Sequence, residues 1–199
     1  MRATPVCWLG VLLGTCLAIF LAPNPAAAGD AHLANASSSR NGQIYSVSFV
    51  LLDAFDSKRE EAILSGIPQT FNYVFEVYRV ITAWPNMRVY NWTVKRTIRY
   101  DTLKKIFTVE FDEDAKPKQT SDFPQAKKWM TEFADFPVAV APALEASSSY
   151  YVRVKATTET VELPFYVNRV FTSSWNFETA WQRIDLPAKV AHEPTAPAP

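Results

Sequence analysis

Histidine and cysteine stand outside the patterned part of this chain: His32 and His192 flank it, and Cys7 and Cys16 precede it. A histidine-based triad, a histidine-rich zinc site or a thiolate nucleophile needs such groups to converge inside a folded block. Gly42 and Gly66, the glycines of that block, fall at boundaries, so no glycine-rich phosphate loop is present. No catalytic residue, metal site or cofactor is therefore expected.

Acids offer two further chemistries. Glycoside hydrolysis needs a carboxyl pair at a defined separation. Glu76 and Glu110 fall two strands apart, roughly 9 to 10 Å between backbones, in the register derived below. Lys95 stands between them there, so a structural ion-pair row of Glu76, Lys95 and Glu110 accounts for the placement. Asp112, Glu113 and Asp114 lack the further spaced oxygens of a calcium loop and read as a solvated turn.

Four residues are candidates for binding. Arg96, like Arg79, shares the phase of the apolar residues around it, and a buried guanidinium needs a carboxylate or carbonyl partner or a ligand. Trp92 and Trp129 read as core. Trp175, Asn176 and Trp181 occupy a less regular stretch, where exposed aromatic anchors suit a partner or a glycan.

Residues 70–111 must position these groups. Phe71, Tyr73, Phe75, Val77 and Ile81 share one phase, as do Tyr90, Trp92, Val94, Ile98 and Tyr100, and then Phe107, Val109 and Phe111. A period of two marks half-buried strands, and β-branched and aromatic residues suit a pleated surface. Four-residue hairpin loops at 84–87 and 101–104 set Phe75 opposite Arg96, Arg96 opposite Val109, Val77 opposite Val94, Val94 opposite Phe111, and Arg79 opposite Trp92. That register creates the Glu76, Lys95 and Glu110 row.

Around this unit, Tyr45, Val47, Phe49 and Leu51 alternate within a strand over 44–53. Ser57 and Glu60 have capping-box spacing ahead of Ala62, Ile63 and Leu64, with Gly66 as the stop. Residues 112–118 read as a charged connection. Ser121 or Asp122 caps a second helix whose face carries Ala126, Trp129, Met130 and Phe133, ended by Asp135, Phe136 and Pro137. Residues 150–158 alternate again, and 163–171 forms a final segment. The expected fold is mainly β: an antiparallel sandwich or curved sheet with two short helices packed on it.

Arg2, an uncharged apolar run over residues 6–22 and the small residues Ala26, Ala27 and Ala28 describe a signal peptide, 1–28. An uncleaved leader acting as membrane anchor is the alternative. Residues 29–42 are small and polar and read as a flexible segment, 43–186 as a single β-rich domain, and 187–199 as a disordered Pro/Ala-rich tail. Lys plus Arg and Asp plus Glu number 20 each. That balance argues against a nucleic-acid partner and leaves the leader as the one route to the membrane.

Thr97, Ile98, Arg99 and Tyr100 precede a turn, and Leu163, Pro164, Phe165, Tyr166, Val167 and Asn168 lead towards Ser174, Trp175, Asn176 and Phe177. On these motifs the chain resembles the bacterial domain of unknown function 4390 family, over about 44–184. The resemblance implies an exported envelope protein with no established activity and no catalytic residues to transfer. It also implies an accessory role beside a membrane sensor kinase.

The sequence thus leads to a non-enzymatic exported domain, periplasmic or anchored by its leader. Its expected partner is an envelope protein, met through a sheet edge or the 175–181 segment, with no oligomeric state specified. The alternative is a small apolar ligand or lipid held in a cavity between sheet and helix near Arg96.

Overall fold

The computed structural model describes residues 30–145, 147–158 and 176–187. The leader, the 163–171 segment, Trp175 and the tail from 188 onward lie outside them. In chain order come β1 (His32–Asn41), β2 (Ile44–Leu52), α1 (Ser57–Leu64), β3 (Gln69–Arg79), β4 (Met87–Asp101), β5 (Ile106–Phe111) and β6 (Asp114–Thr120). They are followed by α2 (Phe123–Thr131), β7 (Glu132–Val140), β8 (Tyr150–Thr158) and β9 (Gln182–Asp185). Two antiparallel sheets result, a three-stranded one ordered β1-β2-β7 and a six-stranded one ordered β6-β5-β4-β3-β8-β9.

The alternating residues of β2 and β3 face each other and form the core. Phe71, Tyr73, Phe75, Val77 and Val47 have no exposed surface. Phe49 of β2 stacks on Phe133 of β7 at 4.6 Å between ring centres, Tyr73 meets the same ring at 4.6 Å, and Phe75 stacks on Trp92 at 5.2 Å. Such pairs contribute about 0.5–1.5 kcal/mol each beyond the area they bury.

The expected strand register is overturned while its faces hold. Phe75 lies opposite Trp92, Arg96 lies between Phe71 and Phe111, Val77 pairs with Tyr90, and Arg79 pairs with Met87. Between β3 and β4 the loop spans 80–86 rather than four residues, and a bulge interrupts the ladder beside Val77 and Tyr78. The second loop sits one residue late, because Asp101 pairs with Ile106 while its carboxylate accepts from the Leu103 and Lys104 amides at 3.0 and 2.9 Å. Up to the bulge, partner positions moved by even numbers of residues, so those side chains kept their faces; beyond it the extra residue makes the shift odd, and Arg79 meets Met87 in place of Trp92.

The expected row is lost with that register. Lys95 stands opposite Asn72, Glu110 opposite Thr97, and Glu76 between Asn91 and Arg153.

Three local expectations also change. Residues 32–41, read as part of a flexible segment, form β1, which is held by backbone pairing to β2 and by Leu33 opposite Leu51. Gly42 opens the two-residue turn into β2 with φ +57, as type II′ hairpins require. Most of the charged connection is β6, an edge strand whose Lys116, Pro117 and Lys118 discourage further pairing. Finally, Phe133 belongs to β7, since α2 ends at Thr131 and the next segment runs extended.

Helix α2 packs against β5, β4, β6 and β2, and α1 packs against β4. Asp56, not Ser57, caps α1, its carboxylate accepting from the Arg59 amide at 2.7 Å. Glu60 accepts instead from Lys127 of α2 at 2.7 Å. At the C-terminus, the Gly66 amide donates to the Ile63 carbonyl and the Ile67 amide to the Ala62 carbonyl, the Schellman pattern, with Gly66 at φ +87. Arg59 is buried between the rings of Phe71 and Phe177 and donates to the Ala54 carbonyl. On the far side of the sandwich Ser38 of β1 donates to the Asp185 carbonyl of β9 at 2.6 Å, drawing the two sheets together.

Candidate functional site

Arg96, first among the binding candidates, lies on the core face of β4 with 7% of its surface exposed. Its Nε and Nη2 donate to Glu113 Oε1 at 2.8 and 2.6 Å, and Nη1 donates to the Trp129 and Glu132 carbonyls at 3.0 and 2.7 Å. The guanidinium carbon sits 3.5 Å from the centre of the Phe133 ring. Those carbonyls belong to the exit of α2, where orphan acceptors and the helix dipole favour a cation. Tyr73 meets the same turn, donating from its hydroxyl to the Met130 carbonyl at 2.6 Å, and its complete burial pushes its pKa up. Arg96 and Tyr73 therefore fix where α2 ends, and so where β7 starts.

Glu76, expected in an ion-pair row, forms a different cluster on the outer face of the large sheet. It accepts from Arg153 Nε, from Arg88 Nη1 at 2.7 Å and from the Tyr78 hydroxyl at 3.2 Å. Burial alone would raise its pKa; the hydrogen bonds from Arg153 and Arg88 outweigh that and hold the carboxyl below the usual range. Trp181 extends this face, with Arg153 and Lys155 over its ring at 4.3 and 5.1 Å. Asn176 is exposed. Arg96 and Trp181 thus lie on opposite faces of the sheet and form no common site.

The structure instead brings together residues that the sequence reading did not select. Where β4 passes β7, the two sheets part and leave an open cleft of about 460 Å³. Its walls are Tyr90, Asn91 and Trp92 on one side and residues 137–140 with Ala143 on the other. Tyr90 and Val140 are 44% and 49% exposed, and Ile44, paired with Val140, is 46% exposed, which makes the mouth apolar. The alternation of Val138 and Val140 after a proline was the signal available for an edge strand there.

Both walls are strand edges. β5 pairs with β4 only from Arg96 to Asp101, so Met87–Thr93 is paired to β3 alone among the described residues. Among the described residues β7 pairs with β2 alone. The Asp112 amide donates to the Lys95 carbonyl at 3.0 Å, which shows that Lys95 points its carbonyl away from β3, and the ladder runs without a register shift from there to Tyr90. By alternation, the N–H and C=O groups of Asn91 and Thr93 point outward as well.

The arrangement defines a class: an antiparallel two-sheet β-sandwich with an apolar seam between edges that are unpaired among the described residues. Among the described residues there is no group of three or more His, Cys, Asp or Glu able to hold a metal ion, and no helix long and apolar enough to cross a membrane. Residues 28–185 match the family described as domain of unknown function (DUF4390), and the chain belongs to that family. The match takes in β1, which lies outside the span of the resemblance drawn from the motifs. Comparisons with curated proteins and with solved structures returned no match.

Proposed function

We propose that this chain is a non-enzymatic, exported envelope domain that binds a partner protein at the seam between β4 and β7. The single observation that carries the reading is the seam itself, an exposed apolar cleft bounded by two strand edges that are unpaired among the described residues. Exposed edges invite pairing with another chain, and folded proteins usually cover or charge them, as β6 does here with lysine and proline. Among the described residues, the β4 stretch at the seam carries no lysine or proline and pairs with no second strand. The leader supports export, and accessory service to a membrane sensor kinase fits the same reading.

The test is photo-crosslinking in cells from Tyr90 and Val140, with Leu103, 93% exposed at a hairpin tip, as control. A discrete protein adduct is expected from the two seam positions and not from Leu103. No adduct, or the same adducts from all three, refutes the reading.

A second reading rests on the size of the cleft, which falls in the range of small-ligand sites. A small apolar ligand or lipid would then occupy the seam rather than a cavity near Arg96. Titration with a fatty acid such as laurate, followed by Trp92 fluorescence, tests it: saturable quenching supports the reading and a flat response removes it.

A further inference from the structure

We infer that the seam takes its partner as an added strand: an extended, uncharged segment of another protein that pairs through the outward backbone groups of Asn91 and Thr93. The inference rests on the protein-binding reading above and names the chemistry of what is bound.

The backbone fixes the conformation of the occupant. Asn91 and Thr93 each present an N–H and a C=O on the open side of β4, two residues apart, the repeat at which an antiparallel or parallel neighbour takes its bonds. A helix has its backbone groups satisfied internally and offers that edge nothing. An extended chain satisfies both residues and sends alternate side chains to opposite faces.

Charge complementarity fixes the composition. Among the described residues the walls of the cleft carry no charged side chain. Nearby cations are engaged by the chain's own acids: Arg88 with Glu76, and Arg79 with Glu145 at 2.5 Å. A charged residue entering beside Trp92 and Val138 would be desolvated without a partner, a cost that excludes it. Alternate residues of the occupant are therefore apolar, and those turned outward, beside Asn91 and Thr93, are free to be polar.

The register makes the idea separable from general stickiness. From Tyr90 to Val94 the odd-numbered residues face the open side and the even-numbered ones bond to β3, so proline at 91 removes an outward donor and no bond of the existing ladder. The probe is a blocked seven-residue peptide of alternating valine and threonine. Backbone amide exchange and titration are read on the full chain, in wild type, Asn91→Pro and Val140→Asp, the last placing a charge at an exposed rim position.

Saturable binding is expected, with exchange at Asn91 and Thr93 slowed at least about tenfold, and affinity lost in both variants while their unfolding transitions stay cooperative. N-methylation of alternate peptide amides is expected to abolish binding in one phase only. Binding without protection at Asn91 and Thr93, equal tolerance of both N-methyl phases, or no binding overturns strand addition. Protection that appears without peptide and rises with protein concentration also overturns it and assigns the seam to a second copy. A seam adduct in cells combined with any of these results leaves the protein-binding reading standing and removes only this mode.

Discussion

Replacing Arg96 with leucine tests whether that residue is a clamp on the fold. The substitution leaves the Glu113 carboxylate and the Trp129 and Glu132 carbonyls without their donor and removes the cation from the Phe133 ring. Breaking a buried ion pair from one side costs about 3–5 kcal/mol. The partial exposure of Glu113, at 22%, places the expected loss near the lower end, about 3 kcal/mol. With a slope of about 1–3 kcal/mol per molar urea, the unfolding midpoint falls by roughly 1–3 M. Arg96→Lys keeps the charge but not the fork, so it recovers only part of the loss. Replacing Arg96 and Glu113 together by leucine recovers more than Arg96→Leu alone, because no carboxylate is then stranded. The measurement is equilibrium urea unfolding of the three variants. A loss below about 1 kcal/mol for Arg96→Leu, or a double variant no more stable than the single, would refute the clamp.

Three further outcomes follow from the geometry. Glu76 has a lowered pKa in the folded chain, so its contribution is complete above the unfolded value near 4.5 and is lost as pH falls through the folded one. Unfolding midpoints between pH 7 and pH 3 should fall less steeply in Glu76→Gln than in wild type, and a steeper fall contradicts the pairing. Tyr73→Phe strands the Met130 carbonyl and should cost about 1–2 kcal/mol in thermal or urea unfolding, with an unchanged transition opposing the assigned bond. Gly66→Ala finds space for a methyl group, its nearest contacts at 3.7 Å, but at φ +87 it should cost about 1–2 kcal/mol through backbone strain alone. A neutral Gly66→Ala would deny the Schellman geometry.

How much of this was legible follows from what each residue reports. Alternation in Phe71, Tyr73, Phe75 and Val77 reports the face, and the face was right, because a one-residue slip would turn every ring to water. It does not report the partner. Shifts by even numbers preserve the apolar match, so loop geometry at Asp101 and the bulge at Val77 set the pairing instead. Residues 32–41 carry little apolar signal beyond Leu33, and β1 exists because β2 offers a backbone ladder.

Arg96 was readable as a charge on the core face, but its acceptors come from residues far along the chain. The seam was the least readable feature. It arises where β5 ends opposite Arg96 while β4 continues to Met87, and no local pattern records the length of a neighbouring strand.

The central claim is that this edge of β4 is open in the free chain and covered when the partner is bound. Residue-resolved amide exchange measures that directly. In the free chain, Trp92 and Val94, whose backbone groups face β3, are predicted to be protected, and Asn91 and Thr93 to exchange rapidly. With the partner bound, all four are predicted to be slow. Equal protection of Asn91, Trp92, Thr93 and Val94 in the free monomer would contradict the account.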